Sequence, residues 1–338
     1  MRWRPAGRHF CGSNFMFLAY HRVLLETDML KRTSSVASFF YGAAAFVLLQ
    51  LTTLAPGQQT KDVILELDHV SVCGSNLDTL RQAFTDAGLA PDFGGPHGNG
   101  VTHMAAIGFD DGTYIELIAP LKPGETAGTP WAKFMAEDAN TCAWAVGTNV
   151  LLQEVDRLKK AGIAVTEPAK GSRKRPDGMS VEWTVADVGS ATPGAVLPFI
   201  IEDQTPRQWR VQNSASMQGA PVSGVENVVI AVSNLDASIA LFRKAYGWAE
   251  PITENQKDWG KMAYFPGEPV ILVSGGGWLS DRISKFGESP VAYLLAGRDF
   301  PAATKKYKLS GTKTWFGQKV AWFDAGKLKG VRLGVIGQ

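Results

Sequence analysis

The phrase Ser-Asn-Leu-Asp occurs at 75–78 and again at 233–236, and its surroundings repeat with it. Upstream, LDHVSV at 67–72 matches VENVVI at 225–230. Downstream, Phe84 and Ala87 match Phe242 and Ala245 at the same offset. Each copy runs from an alternating apolar stretch, the period of a strand, through an Asn-Leu-Asp helix start into an amphipathic helix. Asp or Asn there can cap the unpaired N–H groups of the first turn. Gly88 and Gly247 then stand where a helix C-cap is expected. A repeat of this length means one supersecondary unit used more than once.

Two fainter copies lie between and after. CAWAV at 142–146 precedes the helical stretch 149–162, and VAYLLA at 291–296 precedes 298–311. Two or three β-like runs follow every helix. In the first unit these are VTHMAAIGF and TYIELIAP, joined by Asp110-Asp111-Gly112, a strong hairpin signal. The predicted order is β-α-β-β-β four times, an α+β architecture. Modules are expected at 64–135 and 140–205 in a first domain and over 223–336 in a second. The polar, patternless stretch 206–222 reads as a linker.

Upstream of this frame, Lys31 and Arg32 precede an apolar run from about 36 to 54, and Ala55 and Gly57 supply small residues at its end. That order is the layout of a secretory signal, so residues 1–57 are expected to be an upstream segment and signal peptide, leaving a periplasmic or secreted protein with no membrane attachment after cleavage, an uncleaved membrane anchor being the other possibility. Either Met1 or Met29 can be the start. Thirty-four Lys plus Arg against thirty-two Asp plus Glu leave a net charge of +2. No broad basic field exists to hold a nucleic acid. Cys11, Cys73 and Cys142 lack the spacing of a zinc site. Cys73 and Cys142 fall on the first strands of neighbouring modules and are expected to be two separate core thiols, a disulfide after export being the other possibility.

LDHVSV, the NLD helix start and HMAAIGFDDGTYIELIAP together resemble the first module of glyoxalase-like proteins in the vicinal-oxygen-chelate superfamily. GSRKRPDGMSVEW and LPFIIED resemble the second module. The resemblance implies four βαβββ modules paired into two cupped sheets, each pair enclosing one metal or ligand site. It places His69 on the first strand and Glu116 on the last strand of a module as metal ligands, with Glu116 also catalytic. An imidazole and a carboxylate suit a single divalent zinc, iron, manganese or nickel ion, and no organic cofactor is indicated. The corresponding second-module positions read as Trp144 and Ile201, which cannot ligate. Asn227 stands where His69 would fall in the second half, and VILVSG at 270–275 has no acid to match Glu116. The second domain is therefore expected to be a degenerate copy.

His103 lies an even number of residues from Ile107 on the strand that hairpins against Glu116, and is expected to share its face, as a third ligand or a substrate-pocket residue. Tyr114, two residues from Glu116, should share that face too and could donate a proton or stack on substrate. Trp144 reads as an apolar wall of the cavity. Arg173 and Arg175, with Lys174, form a charged loop that is either a solvated turn or a cationic rim for an acidic substrate. His97 in GGPHGNG sits on a loop able to close over the cup, and GGG at 275–277 is a turn without the strand–helix context of a phosphate loop.

Two functions compete: a metal-dependent lyase, isomerase or dioxygenase acting on a small oxygenated molecule, and a non-catalytic protein that sequesters such a molecule. A structural role is a third. A small-molecule partner is common to the first two, and a homodimer is compatible with all. N-terminal sequencing of protein recovered from its native compartment is expected to read from near Gln58; an intact Met1 or Met29 in a soluble cytoplasmic fraction would count against export.

Overall fold

A computed structural model describes residues 65–189 and 192–337. The upstream segment read as a signal peptide lies outside the described residues. The first module comprises β1 (Leu65–Cys73), α1 (Leu77–Asp86), β2 (Asp92–Pro96), β3 (Thr102–Gly108) and β4 (Tyr114–Pro120), followed by the short α2 (Ala132–Met135). The second comprises β5 (Asn140–Thr148), α3 (Leu151–Lys160), β6 (Ala169–Lys174), β7 (Ser180–Ala186) and β8 (Phe199–Asp203), followed by α4 (Arg207–Arg210). The third holds β9 (Val222–Ala231), α5 (Leu235–Tyr246), β10 (Ile252–Gln256), β11 (Gly260–Tyr264) and β12 (Val270–Ser274), then α6 (Trp278–Phe286). The fourth holds β13 (Ser289–Gly297), α7 (Phe300–Tyr307), β14 (Ser310–Trp315), β15 (Gln318–Trp322) and β16 (Leu333–Gly337).

The two Ser-Asn-Leu-Asp phrases sit at equivalent helix starts. The Asn76 side chain accepts from the Thr79 N–H and that of Asn234 from the Ala237 N–H, each satisfying an otherwise unpaired donor. Asp299 caps α7 in the same way. Past α5 the chain turns through Gly247 at φ 70°, the left-handed conformation that glycine tolerates best.

Each pair of modules makes one eight-stranded sheet. The orders are β2-β3-β4-β1-β5-β8-β7-β6 and β10-β11-β12-β9-β13-β16-β15-β14, the same topology twice. The modules of a pair join through their first strands, β1 antiparallel to β5 and β9 antiparallel to β13. Helices cover the convex face, where Val70, Ile115, Ile107 and Ile200 meet Leu80 and Phe84 of α1 and Leu158 of α3. One continuous core runs from these residues to Phe242 and Trp248 of the second domain. The two domains also meet between β5 and β13. There the Tyr293 hydroxyl reaches the Ser71 and Ala143 carbonyls at 2.7 and 2.9 Å, and Thr141 donates to the Pro290 carbonyl at 2.6 Å.

Concavity turns the far edges of the first sheet toward each other. His97 bridges to Arg173, and the Gly98 N–H donates to the Ser172 carbonyl at 2.7 Å. The approach is tight at Gly95, where φ is +99° and a Cβ would lie 2.1 Å from the Lys174 carbonyl oxygen; only glycine satisfies both conditions. The sheet is thus a nearly closed cup with His97 and Arg173 on its seam.

Cys73 and Cys142 form a disulfide between β1 and β5, with Cα atoms 5.9 Å apart, rather than the two separate thiols expected. The sequence shows only that both lie on first strands; their meeting follows from the β1–β5 pairing. Replacing both by alanine is expected to lower the unfolding free energy by about 2–4 kcal/mol, read as the difference in denaturant midpoint between variant and parent. An unchanged midpoint would show that the bridge contributes nothing to the cup.

Candidate functional site

The site is assembled from register. In the parallel β1–β4 pair His69 lies beside Tyr114 and Ser71 beside Glu116, so all four side chains point into the cup. Opposite β5, the partners step from Leu67–Val146 to His69–Ala145, which leaves Asp68 as an extra residue. Such a bulge re-aims side chains locally. Here it lets Asp68 and His69, adjacent in sequence, meet: His69 Nδ1 lies 2.6 Å from Asp68 Oδ1.

Asp68 is buried and paired. Arg210 of α4 donates to its two oxygens at 2.8 and 2.7 Å, and Arg207 donates to Oδ2. Arg210 also donates to Asp203 at 2.5 Å through Nε and to the Tyr114 hydroxyl at 2.7 Å. Burial pushes the Asp68 carboxyl up, but Arg210 and Arg207 more than reverse this and hold it well below the usual carboxylate range. An ionised Asp68 can only accept, so the hydrogen-bonding proton is on His69 Nδ1. In the neutral ring, Nε2 therefore presents its lone pair to the cup.

Glu116 lies across from that lone pair. Its Oε2 is 3.8 Å from His69 Nε2 and accepts from the Ser71 hydroxyl at 2.9 Å. Its Oε1 is 3.5 Å from Nε2 of His97, whose Nδ1 is anchored 2.8 Å from the Thr102 hydroxyl. Burial would raise the Glu116 carboxyl, yet the hydrogen bond from His97 and the nearby His69 and His97 charges bring it down to about 2. Tyr114 stacks on His69, ring centroids 4.6 Å apart at 19°, and burial pushes its hydroxyl well above the ordinary phenol value.

These groups open onto a cavity of about 420 Å³. Trp131, Trp183 and Phe199 wall it, with Ile118 and Ile201 below, and Lys170, Arg173 and Asp187 add charge. The indole N–H of Trp131 donates to the Pro193 carbonyl at 3.0 Å, which fixes that wall.

His69, Tyr114, Glu116 and Arg173 all line this cavity, as does His97 from the loop expected to close over the cup; His103, Trp144 and Arg175 do not. His103 pairs with Ala119 and so faces the helix side, away from Glu116, where its ring meets Phe93 edge-on at 6.3 Å. The residues on the Glu116 face of β3 are Thr102, Met104, Ala106 and Gly108, of which Thr102 and Met104 line the cavity. The expectation counted from Ile107, which pairs with Ile115 and therefore shares the helix face. Trp144 also faces the core: it is fully buried, donates to the Val196 carbonyl at 3.0 Å and stacks on Phe242. The β5 residue beside His69 is Ala145, and its β8 neighbour is Phe199. Arg173 lies in β6 rather than a loop, buried, donating to the Gly94 carbonyl and at 2.6 Å to the Arg210 carbonyl. Arg175 is outside the cup, bound to Asp177 at 2.8 Å.

Two residues that complete the site escaped the sequence reading, and a third, His97, had only its loop to recommend it. Asp68 interrupts the apolar alternation of β1, and the third module has Glu226 at the matching bulge between Val225 and Asn227. Arg210 lay in the supposed linker, which instead folds back as α4 and seats its guanidinium on Asp68.

The fold family commonly uses a divalent metal, so the donors bear testing. His69 and Glu116 do converge, and both imidazoles are anchored at their outer nitrogens, as ligating histidines usually are. However, Glu116 meets the two rings through different oxygens, and Ala145 and Ile201 supply nothing from the second module. Among the described residues no group of three or more His, Cys, Asp or Glu side chains is arranged to hold a metal ion. The donor set does not fit a three-ligand centre. In the second domain Asn227 replaces His69, Ile271 pairs with Val229 where Glu116 pairs with Ser71, and the concave face is filled by apolar side chains.

The low Glu116 value has a measurable consequence. A depressed carboxyl contributes stability in full above its ordinary value of 4.5, and that contribution is lost as pH falls through about 2. Carboxyl-selective NMR titration should show Glu116 ionised down to that range, and in His97→Ala its midpoint should move up because burial is then less opposed. A midpoint unchanged in His97→Ala would show that His97 is not the partner.

The matching family model is the glyoxalase-like domain, over residues 67–246, more than half of the chain. Among solved structures, a hypothetical protein from Staphylococcus aureus aligns over 80% of this chain and 99% of its own at 14% identity and a TM-score of 0.55. A variant of 4-hydroxymandelate synthase from Streptomyces coelicolor aligns over 80% and 92% at 11% identity and a TM-score of 0.53. A xylose isomerase-like TIM barrel/4-hydroxyphenylpyruvate dioxygenase fusion protein aligns over 80% of this chain and 48% of its own, at 11% identity and a TM-score of 0.51. At these identities the likeness is one of fold. No curated protein sequence matches. The two cups of paired βαβββ modules and the family match agree: the chain belongs to the glyoxalase-like domain family of the vicinal-oxygen-chelate superfamily.

Proposed function

We propose that the first cup binds a small oxygenated molecule and moves a proton on it, the elementary step of a lyase or isomerase. The observation that carries this reading is the Asp68–His69 pair facing Glu116 inside a walled cavity. A carboxyl held at about 2 is a weak base near neutrality, so the role first given to Glu116 passes to the imidazole. His69 Nε2 takes the proton from a carbon next to a carbonyl. The C–H electron pair becomes an enolate, and the proton returns to a neighbouring atom. Asp68 and Glu116 stabilise the imidazolium from its two sides. Tyr114 positions the ring by stacking and, as a phenol that keeps its proton, is not the base. Arg173 and Lys170 receive the developing oxygen charge or an acidic group of the substrate, while Trp131, Trp183 and Phe199 exclude water. The Cys73–Cys142 disulfide supports export to a periplasmic or extracellular space, where such bonds persist.

Exchange of carbon-bound hydrogen with D2O, followed by proton NMR on a panel of small 2-oxo and 2-hydroxy acids and aldehydes, tests the reading. The parent should catalyse exchange on at least one compound class, and His69→Ala should reduce it by about 100-fold or more. Equal exchange by His69→Ala would overturn the assignment. Binding without exchange would favour sequestration. Elemental analysis of the same preparations separates a further case: a stoichiometric zinc, iron, manganese or nickel ion lost in both His69→Ala and Glu116→Ala would replace proton transfer with a metal-centred reaction.

A further inference from the structure

The second cup closes as the first does. Gln256 of β10 donates to the Thr314 carbonyl of β14 at 2.8 Å, and the Phe316 N–H donates to Glu254 at 2.8 Å. Its floor, however, is filled by Val229, Ile271, Leu294 and Ile336. What stays open is a cavity of about 340 Å³ on the same concave side, where Trp259, Trp315 and Trp322 stand with Lys257, Lys313 and Arg332.

The tryptophans are locked together. Trp259 stacks on Trp322 with centroids 5.2 Å apart at 16°, and meets Trp315 and Trp278 edge-on at 5.0 and 5.1 Å. Arg332 lies over the Trp278 ring at 3.8 Å. Packing alone would account for the cluster, but not for the charges around the opening. Among the described residues none of Lys257, Lys313 and Arg332 has a carboxylate within ion-pair distance, although Asp258 shares the lining. Trp315 is fully buried, and its indole N–H has no hydrogen-bond partner. A half-enclosed cavity with aromatic faces, three unpaired cations and an unused donor lacks two things: a flat ring and a negative charge.

We propose that the second domain binds a small planar aromatic molecule bearing an acidic group, its ring against the Trp259–Trp322 pair and its acid at Arg332, with Lys257 and Lys313 on the rim. Arg332 suits this role because a guanidinium presents paired donors to a carboxylate while stacked on an aromatic face. A neutral sugar would also stack on tryptophan, but it would leave all three cations uncompensated. The site is independent of the first cup, which has its own residues and its own opening.

Calorimetric titration of the full chain with 1-naphthoate tests this, with cyclohexanecarboxylate and 1-naphthalenemethanol as probes lacking the ring and the charge respectively. Naphthoate should bind about tenfold or more tightly than either control, and Arg332→Gln should weaken it by a similar factor. Trp322→Ala should do the same. Should that variant fail to fold, Arg332→Gln and the double change Lys257→Gln with Lys313→Gln still decide, since they alter charge without opening the tryptophan cluster. His69→Ala, in the other cup, should leave this binding unchanged. Absence of binding at millimolar naphthoate, equal binding of cyclohexanecarboxylate, or binding indifferent to Arg332→Gln would each overturn the proposal.

Discussion

The buried ion pair between Asp68 and Arg210 is the contact on which the first cup depends. A carboxylate in a strand interior is expensive unless its charge is matched, and Arg210 matches it through both oxygens while Arg207 adds a second cation. Breaking such a pair by removing one member costs about 3–5 kcal/mol, because the survivor stays buried and unpaired. The pair also has directional consequences. It draws α4 down onto the sheet, so that a segment lacking hydrophobic pattern becomes part of the site. It holds Asp68 ionised, which sets the His69 tautomer and the direction of the Nε2 lone pair. It places the guanidinium on the Tyr114 hydroxyl, and the Tyr114 ring then supports the imidazole.

The two domains show how little of this follows from the fold. Both have the same strand order, the same Asn helix caps and the same bulge in the first strand, at Asp68 and at Glu226. They diverge in the side chains that face inward. Ser71 and Glu116 become Val229 and Ile271, and the polar cup becomes an apolar one. Backbone repetition supplies a concave surface, and the residues at alternate strand positions decide whether it holds ionisable groups, a ligand or its own core.

The parts legible in the sequence are those governed by local rules. Alternation, the Asn caps and glycines after the helices give strands and helices with their order, and the repeated phrase gives the two-fold plan. Site residues were legible only where register is simple: His69, Tyr114 and Glu116 follow from parity along β1 and β4. Parity failed where a long-range contact intervenes. His103 was placed by counting from Ile107 without knowing which face Ile107 takes, and Trp144 was aligned with His69 although the Asp68 bulge brings Ala145 opposite instead. His97 enters because the sheet curls until β2 meets β6, and Arg210 because a buried acid needs a partner. No local pattern encodes either.

Glu116 carries the last constraint. It is buried, its neighbours on the strand are apolar, and its ordinary tendency there would be to take up a proton. Its surroundings oppose that: a hydrogen bond from His97, the nearby His69 and the hydroxyl of Ser71. A neutral His97 that accepts from the Thr102 hydroxyl at Nδ1 still turns an Nε2–H toward Glu116, and the Arg173 guanidinium interacts electrostatically with the same carboxylate. In the proposed reaction the proton taken up at His69 Nε2 lies 3.8 Å from the Glu116 carboxylate, so the new imidazolium faces a negative charge already in place.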